Sequence, residues 1–556
     1  IGVNIVEKGT TNGTVTDADG HFSFTIESDG ILQISYIGYL GQEINTAGRT
    51  SFNIVLQEDT KALDEVIVVG YGTQKKVNLT GAVGNIQMED LESRPLTNSS
   101  IALQGKVSGV YALQKSGKPS GDDAVINIRG VGTLNNSDPL ILVDGFPGNM
   151  NDVNPNDIES ISVLKDASSA AIYGNRAANG VILVTTKRGA VGKMSVTYNG
   201  YMGIQEATSL PDGFNSVEYT TLYNEAAINT GMQPKYTDEE IQKYAARNDP
   251  MYPDINYFDV YYGSAKIQNH RVNLSGGSEN LQYAFMLGYL DQEGILIGTN
   301  YNKIDFRSNF DAYFLKNNKL RLSVNLSGNK GETGQPTDEW YAKWYATNSP
   351  IWPLKNREDQ WIAVIGERNY YGEIQEGSTT KINRHAFNAQ AEIEYKIAKG
   401  LSAQLTYGYN IIDSNTNAFH ANVLLANLDG STRYLTSDLT ETDSRDTQTL
   451  LTTLVRYETG FGKHGINLLA GYSEEEFKWE WNSGYRSNFI NNTQRILNLG
   501  DPSTMQNNAG AYELGLRSFF GRVNYNFNGK YLFEANVRRD GSSRFLKDNR
   551  WGVFPS

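Results

Sequence analysis

Few side chains in this sequence are spaced for chemistry. The five histidines, His21, His270, His385, His420 and His464, are scattered over 556 residues, with no HExxH pair and no cysteine beside them. Zinc needs several ligands converging from short spacings, so no metal site is expected. The turn TDADGHF sets Asp17 and Asp19 near Gly20, but the further acidic ligands and the twelfth-position glutamate of a calcium loop are missing, and a plain turn explains it. The run IRGVGTLN lacks the third glycine of a dinucleotide fingerprint and the Lys-Ser/Thr of a phosphate loop. No GxSxG elbow or Ser-His-Asp order occurs. These absences argue against an enzyme, and no cofactor is expected. The side chains left for recognition are aromatic. Between residues 336 and 375 stand Trp340, Tyr341, Trp344, Tyr345, Trp352 and Trp361, with Tyr370 and Tyr371. Flat apolar rings with polar edges stack on sugar rings or peptide side chains. The same rings also pack within a loop or anchor protein contacts.

The elements that must carry such a loop are β-strands. Glycine (55) and tyrosine (33) are abundant and proline (14) is sparse, a composition suited to strands and turns. The net charge of −13 argues against a nucleic-acid-binding surface. Mean hydropathy is −0.46, and no run of about 18 apolar residues exists, so no transmembrane helix is expected. A transmembrane barrel stays open, because each of its strands shows only one apolar face. The absence of cysteine decides no compartment by itself. The chain opens abruptly in a strand-like IGVNIV without a signal peptide, which suggests a trimmed chain.

Four regions follow one another. Residues 1–57 read as a small all-β unit, with strands in GVNIVEKGT, HFSFTIE, ILQISYIGY and SFNIVLQ. Residues 58–76 are a charged linker running into the β-branched Val66, Ile67, Val68 and Val69. Such a segment either adds to the sheet edge of a partner or starts the next domain. Residues 77–190 read as mixed α/β. Their strands lie in LTGAVGNI, GVYALQ, AVINIRG, LILVDG, SISVLKD and GVILVTT, and their helices in LTNSSIALQGKV and KDASSAAIYG. From about Met194 the period becomes two. Phe306, Phe310, Ala312 and Phe314 share one face, while Asp305, Arg307, Asn309 and Asp311 share the other. KLRLSVNLSG, LSAQLTYGYN and FFGRVNYNF repeat the pattern.

Loop lengths separate a barrel from a soluble sandwich. Tight turns at GGSEN, LKNNK, AKG, TGFGKHG and NFNGK alternate with mostly long connections, as in barrels with short turns on one side of a membrane. About eleven such strands precede a twelfth beginning at WGVF. The chain ends at Ser556 within that strand, and a sheet in lipid has no open edge. The sequence is therefore expected to be a fragment, with the rest of the barrel unseen.

DEVIVVGYGTQKK, LILVDG, VLKDASSAAIYGNRAANGVILVTTKRG and FNGKYLFEANVRRDGSSRFLKDNRWGVFPS closely resemble SusC/RagA-family TonB-dependent outer-membrane transporters of Bacteroidota, here truncated within the barrel. Residues 1–57 resemble the carboxypeptidase-regulatory-like β-sandwich extension of that family, with its first strand missing. The resemblance implies a mostly β protein. Residues 77–190 would form an α/β plug, and residues 191–556 the first half of a transmembrane antiparallel barrel of about 22 strands. It implies that Asp64, Glu65, Val66, Ile67, Val68 and Val69 lie at the segment captured by TonB, driven by ExbB and ExbD. It also implies a SusD-like surface lipoprotein as lid, against which the loop aromatics would pack if they do not hold ligand. The cargo would be an oligosaccharide or oligopeptide, the barrel would sit in outer-membrane lipid, and the extension and plug would lie on the periplasmic side. Arg129 and Asp144, at plug strand ends, are candidates for contact with the barrel wall, a solvated charge being the alternative for Arg129. Two other readings are a TonB-dependent siderophore or cobalamin receptor and a secreted β-rich adhesin.

Overall fold

The computed structural model describes residues 2–8, 10, 12–17, 19–26, 30–36, 39, 41–56, 66–75, 81–88, 96–133, 135–363 and 368–556. They divide into two units, Ile1–Ala82 and Val83–Ser556.

In the first unit β1 (Asn4–Glu7), β2 (Gly13–Val15), β3 (Ile31–Ser35) and β4 (Gln42–Asn45) form an antiparallel sheet in the order β2-β1-β3-β4. Ile5, Leu32 and Ile34 are its buried centre. Phe22, Phe24, Ile26, Phe52, Ile54 and Leu56 cover them, although their segments form no strand. Side chains take up part of the hydrogen bonding there: Asn12 donates to the Thr25 carbonyl at 2.7 Å and Gln42 to that of Val55 at 2.9 Å. Further along, β5 (Val66–Val69) and β6 (Gly72–Lys75) pair as a hairpin.

The second unit opens with the plug. Its sheet contains β7 (Val83–Gln87), β10 (Leu140–Val143), β11 (Phe146–Pro147), β12 (Ile158–Leu164) and β13 (Val181–Thr186), in the order β11-β10-β13-β12-β7. Only β10 and β13 are parallel. A hairpin of β8 (Val110–Gln114) and β9 (Ala124–Ile128) completes it. Ile161, Val163, Ile182 and Val184 on one face and Leu164, Val181 and Leu183 on the other are buried, as expected where both sheet faces are covered. The small-residue segment after β12 makes one turn of α-helix, α1 (Ala167–Ala170), then tightens to a 3₁₀ stretch over Ala171–Ala177.

The remainder is a sheet of twelve strands. They are β14 (Gly192–Gln205), β15 (Ala265–Gly277), β16 (Leu281–Glu293), β17 (Asn300–Phe314), β18 (Leu320–Gln335), β20 (Thr379–Ala398), β21 (Leu401–His420), β24 (Asp438–Phe461), β25 (His464–Ser487), β26 (Gln506–Phe527), β27 (Tyr531–Ser542) and β28 (Trp551–Pro555). Three short strands, β19 (Trp361–Ile362), β22 (Leu424–Ala426) and β23 (Thr432–Tyr434), pair separately within the loops. Every neighbouring pair of the large sheet is antiparallel and sequential.

The wall is inverted relative to a soluble sheet. Phe306, Phe310, Leu405, Tyr407, Phe519, Val523 and Phe533 are exposed on one face. Arg271, Asp305, Arg307, Asn309, Asp311, Arg522 and Arg538 are buried on the other. On β21 the exterior apolar series runs from Leu401 to Ile411, about 33 Å of strand and, at a tilt near 40°, a band about 25 Å tall. Aromatic rings mark its edges: Phe461 and Tyr531 at the short-turn end, and Tyr472, Phe519 and Trp551 at the other. Above the band β24 and β25, each 24 residues long, continue with polar side chains on the outer face as well, such as Asp413 paired with Arg445 at 2.6 Å. No helix among the described residues is long and apolar enough to cross a membrane.

Candidate functional site

Two places concentrate unusual side chains: the seam between plug and wall, and the aromatic loop after β18.

Charge pairs hold the seam. Arg271 of β15 is fully buried and forks onto Asp157 of the plug, with Nε donating to Oδ1 at 2.8 Å, while its other arm reaches Asp305 of β17. Burial pushes the Asp157 carboxyl up, and the guanidinium of Arg271 pulls it back. Arg384 of β20 grips Asp152 at 2.7 and 2.9 Å. Arg188 reaches Asp311 at 3.0 Å, and Arg176 reaches Glu475 at 2.5 Å. From β27, Arg538 caps the Ile172 carbonyl of the plug at 2.5 Å and binds Asp540 at 2.6 Å and Ser518 at 2.8 Å. These contacts across the seam are ion pairs and hydrogen bonds.

Asp144 and Arg129 are placed differently. Asp144 opens the Asp144–Gly145 turn between β10 and β11, both residues at positive φ (48° and 87°), the geometry that Asp-Gly favours. Its carboxylate accepts from the Thr186 N–H at 3.0 Å and the Thr186 hydroxyl at 2.7 Å, and lies 3.5 Å from Arg307 of the wall. Arg129 pairs with Asp166 of the plug itself. Asp166 directly precedes α1, so the carboxylate that Arg129 meets comes from the plug and not from the wall. Beside Asp144 a cavity of 210 Å³ opens between plug and wall, lined by Phe146, Asp152, Asn325, Asn388, Gln390 and Gln448 among others.

The loops at the opposite end to the short turns fold on their own cores. Helices α2 (Ser216–Asn229) and α3 (Asp238–Ala246) each begin with a capping box, Asn215 with Glu218 and Thr237 with Glu240. Then α4 (Tyr257–Tyr261), α5 (Glu339–Tyr345) and α6 (Tyr370–Gln375) bury Tyr257, Tyr261, Tyr345 and Tyr370 together. The six aromatic candidates divide accordingly. Tyr345 is 4% exposed and leans on Tyr370 at 5.1 Å. Trp352 packs on the same cluster, where the Tyr257 hydroxyl donates to its carbonyl at 2.7 Å. Trp361 stands edge-on to Tyr371 and donates to Glu376 at 3.0 Å. Trp340 and Trp344 are 66% and 45% exposed and stack on each other with centroids 5.9 Å apart. The side chain of Tyr341 lies outside the described residues, as do Asp64 and Glu65 and the side chains of Val66, Ile67 and Val68; Val69 is buried.

The start of α5 is tied to the wall by His420, at the top of β21 and well above the apolar band. Its Nδ1 lies 2.9 Å from Asp438 and its Nε2 3.0 Å from Asp338. Burial lowers its basicity, but hydrogen bonds to and the charges of Asp438 and Asp338 outweigh this and raise it above the usual value. A raised histidine contributes stability fully below the unfolded value near 6.5, and loses it as pH rises through the folded value. Tryptic cleavage after Lys343 should therefore be slower in wild type than in His420→Gln at pH 6, and the difference should shrink as pH rises through the folded value. Equal rates at pH 6 would refute the tether.

Of these residues, Asp157, Arg271, Arg538 and His420 escaped sequence reasoning. The polar face of β17 was visible in the alternation, but nothing in the sequence says which plug charge meets it.

Comparison with known proteins was consistent with this geometry. Residues 75–181 match the TonB-dependent Receptor Plug Domain, and residues 1–68 match the CarboxypepD_reg-like domain. The whole chain is 33% identical to TonB-dependent receptor P3 of Formosa agariphila, over 54% of that protein. It is 31% identical to TonB-dependent receptor SusC of Bacteroides thetaiotaomicron, over 56% of that protein. The chain thus spans about half the length of the curated relatives it matches. A structure of the RagAB peptide transporter superposes with a TM-score of 0.74 at 24% identity, covering 86% of this chain and 57% of that one. The match to the ferric enterobactin receptor PirA of Pseudomonas aeruginosa is confined to 24% of this chain. Along its whole length, with a plug and an inverted antiparallel wall, the chain is thus similar to SusC-like TonB-dependent receptors.

Proposed function

We propose that this chain provides the plug and part of the barrel of an energised outer-membrane importer of oligosaccharides or oligopeptides. The observation that carries this reading is the seam: a wall apolar outside and charged inside holds a separate small domain by hydrogen-bonded ion pairs. The apolar band meets outer-membrane lipid. The extension (residues 1–57), the linker (58–76) and the plug (77–190) face the periplasm, and the barrel begins by residue 191. TonB, powered by ExbB and ExbD, captures Asp64, Glu65 and Val66–Val69 by strand addition and draws on the plug downstream. A SusD-like lipoprotein closes the loop end. Cargo stacks on Trp340 and Trp344, while Tyr345, Trp352 and Trp361 shape the loop that bears them, and Tyr341 shares their helix. Asp144 steadies the plug against the wall, and Arg129 steadies it internally through Asp166.

The name of one solved relative, a peptide transporter, supports import and leaves glycan and peptide both open for this chain. Aromatic stacking adds about 0.5–1.5 kcal/mol per ring beyond area burial. The double variant Trp340→Ala/Trp344→Ala should thus weaken cargo binding by roughly tenfold or more, with heat-modifiable barrel migration retained. Unchanged binding across a panel of glycans and peptides would exclude these rings.

A further inference from the structure

The turn joining β8 to β9 reaches out of the plug. Lys118 Nζ donates to Oε1 of Gln335, at the end of β18, and to Oε2 of Glu339, in the first turn of α5. Beside it the Ser120 and Thr333 hydroxyls hydrogen-bond at 2.9 Å. Pro119 lies so close to Gly294, in the loop before β17, that a Cβ there would stand 2.9 Å from its ring. The ion pair is largely out of water, the Lys118 and Glu339 side chains keeping 21% and 13% exposure. Removing one partner therefore strands a charge that water reaches poorly, which costs more than breaking a surface pair.

Helix α5 needs such support. At seven residues it is too short to persist by itself, and its N-cap Asp338 sits at φ 58° without a side-chain capping bond. Three side chains hold its start: His420 of the wall and Tyr370 of α6 on Asp338, and Lys118 of the plug on Glu339. Trp340 and Trp344 follow directly.

We propose that Lys118 is a positioning residue through which the seated plug holds α5 and presents the Trp340–Trp344 stack. Withdrawal of the plug removes the tether and lowers the affinity of the loop for cargo. This rests on the reading of the two rings as a ligand surface. Coupling between binding events is reciprocal, so cargo on the stack also favours the seated plug until the plug is pulled. Release is thereby tied to plug withdrawal.

The chain contains no cysteine. Ala346→Cys, at a position 2% exposed just past α5, supplies one thiol whose maleimide reaction reports loosening of the helix. In the full-length protein in detergent this variant should react slowly. Adding Lys118→Met should accelerate the reaction roughly tenfold, and Lys118→Arg should not. Exchanging the charges, Lys118→Glu with Glu339→Lys and, because Glu339 also pairs with Lys343 at 2.7 Å, Lys343→Glu, should restore slow reaction, a rescue that a merely space-filling role would not give. Should Lys118→Met fail to assemble, Lys118→Gln supplies the same comparison and leaves the Glu339–Lys343 pair (2.7 Å) in place. An unchanged rate on loss of the pair overturns the tether. If the thiol quickens but Trp340→Ala leaves binding of a glycan and peptide panel intact, the tether stands. The ligand reading then falls, and the affinity half of the proposal with it.

Discussion

Replacing Arg271 with methionine should unseat the plug while leaving the wall folded. The guanidinium is fully buried between two carboxylates, Asp157 of the plug and Asp305 of β17, themselves 2% and 7% exposed. Methionine fills similar space but leaves two like charges facing each other without a counter-ion. Removing one member of a buried ionic group typically costs about 3–5 kcal/mol, because the remaining charge is stranded. That penalty falls on the seam, since the β15–β16 and β16–β17 ladders do not depend on the side chain. Trypsin should then cut the plug at Lys165 and Arg176, with the barrel still heat-modifiable on gels. The defect should be milder in acid. Burial already pushes the Asp157 carboxyl up, and without the Arg271 guanidinium only the weaker pull of the Arg307 charge opposes this. A carboxyl with a raised value is neutral, and least costly, below that value, so seating should worsen as pH rises through it. Arg271→Lys should fall between, because an ammonium cannot fork onto both partners. A plug as protected as wild type at pH 8 would contradict this account of the seam.

Gly174→Ala should have a comparable effect at the other end of the plug. Gly174 adopts φ 71°, ψ −150°, a region open almost only to glycine, at a cost on the order of 1–3 kcal/mol for any other residue. In addition, a Cβ there would collide with Oδ2 of Asp540 and stand 2.7 Å from Nε of Arg538. Those two side chains form the clamp that caps the Ile172 carbonyl. Alanine therefore strains the turn and pries open its receptor together. The YGNRAANG turn and the NVRRDGS strand are thus two halves of one contact, more than 350 residues apart in sequence. Hydrogen exchange across Ala171–Ala177 should quicken in the variant, while Gly180 and β13 change less. Wild-type protection there would show that the turn is not seated by Arg538.

Much of this was legible in the sequence, and the limits have physical causes. The wall strands were visible wherever lipid demands one apolar face, as in Phe306–Phe314 and Leu401–Ile411. Their upper reaches were not. From Asp413 to Ala418 and from Thr440 to Arg445 both faces carry mostly polar side chains, the period-2 signal vanishes, and strand reads as loop. The plug strands were recognisable as β-branched runs, but α1 stops after four residues, because Gly174 turns the chain toward the clamp. The aromatic loop was found, yet its division was hidden. Trp340 and Trp344 differ from Tyr345 and Trp361 only in which side of a short helix or loop faces the core. Asp157, Lys118 and Arg271 carry no local signature, since each gains its role from a partner 114 residues or more away. Arg129 and Asp144 share a strand-end position, and only the fold shows that one charge turns inward and the other to the wall.

The central claim is that partner-driven force on the segment before the plug moves cargo through the seam. It is tested most directly by cargo uptake in cells expressing the full-length protein with residues 64–69 deleted. The expected result is loss of energy-dependent uptake to the level of cells lacking the protein, with surface binding of cargo retained and no further loss on collapsing the proton gradient. Undiminished uptake in the deletion strain would contradict the account.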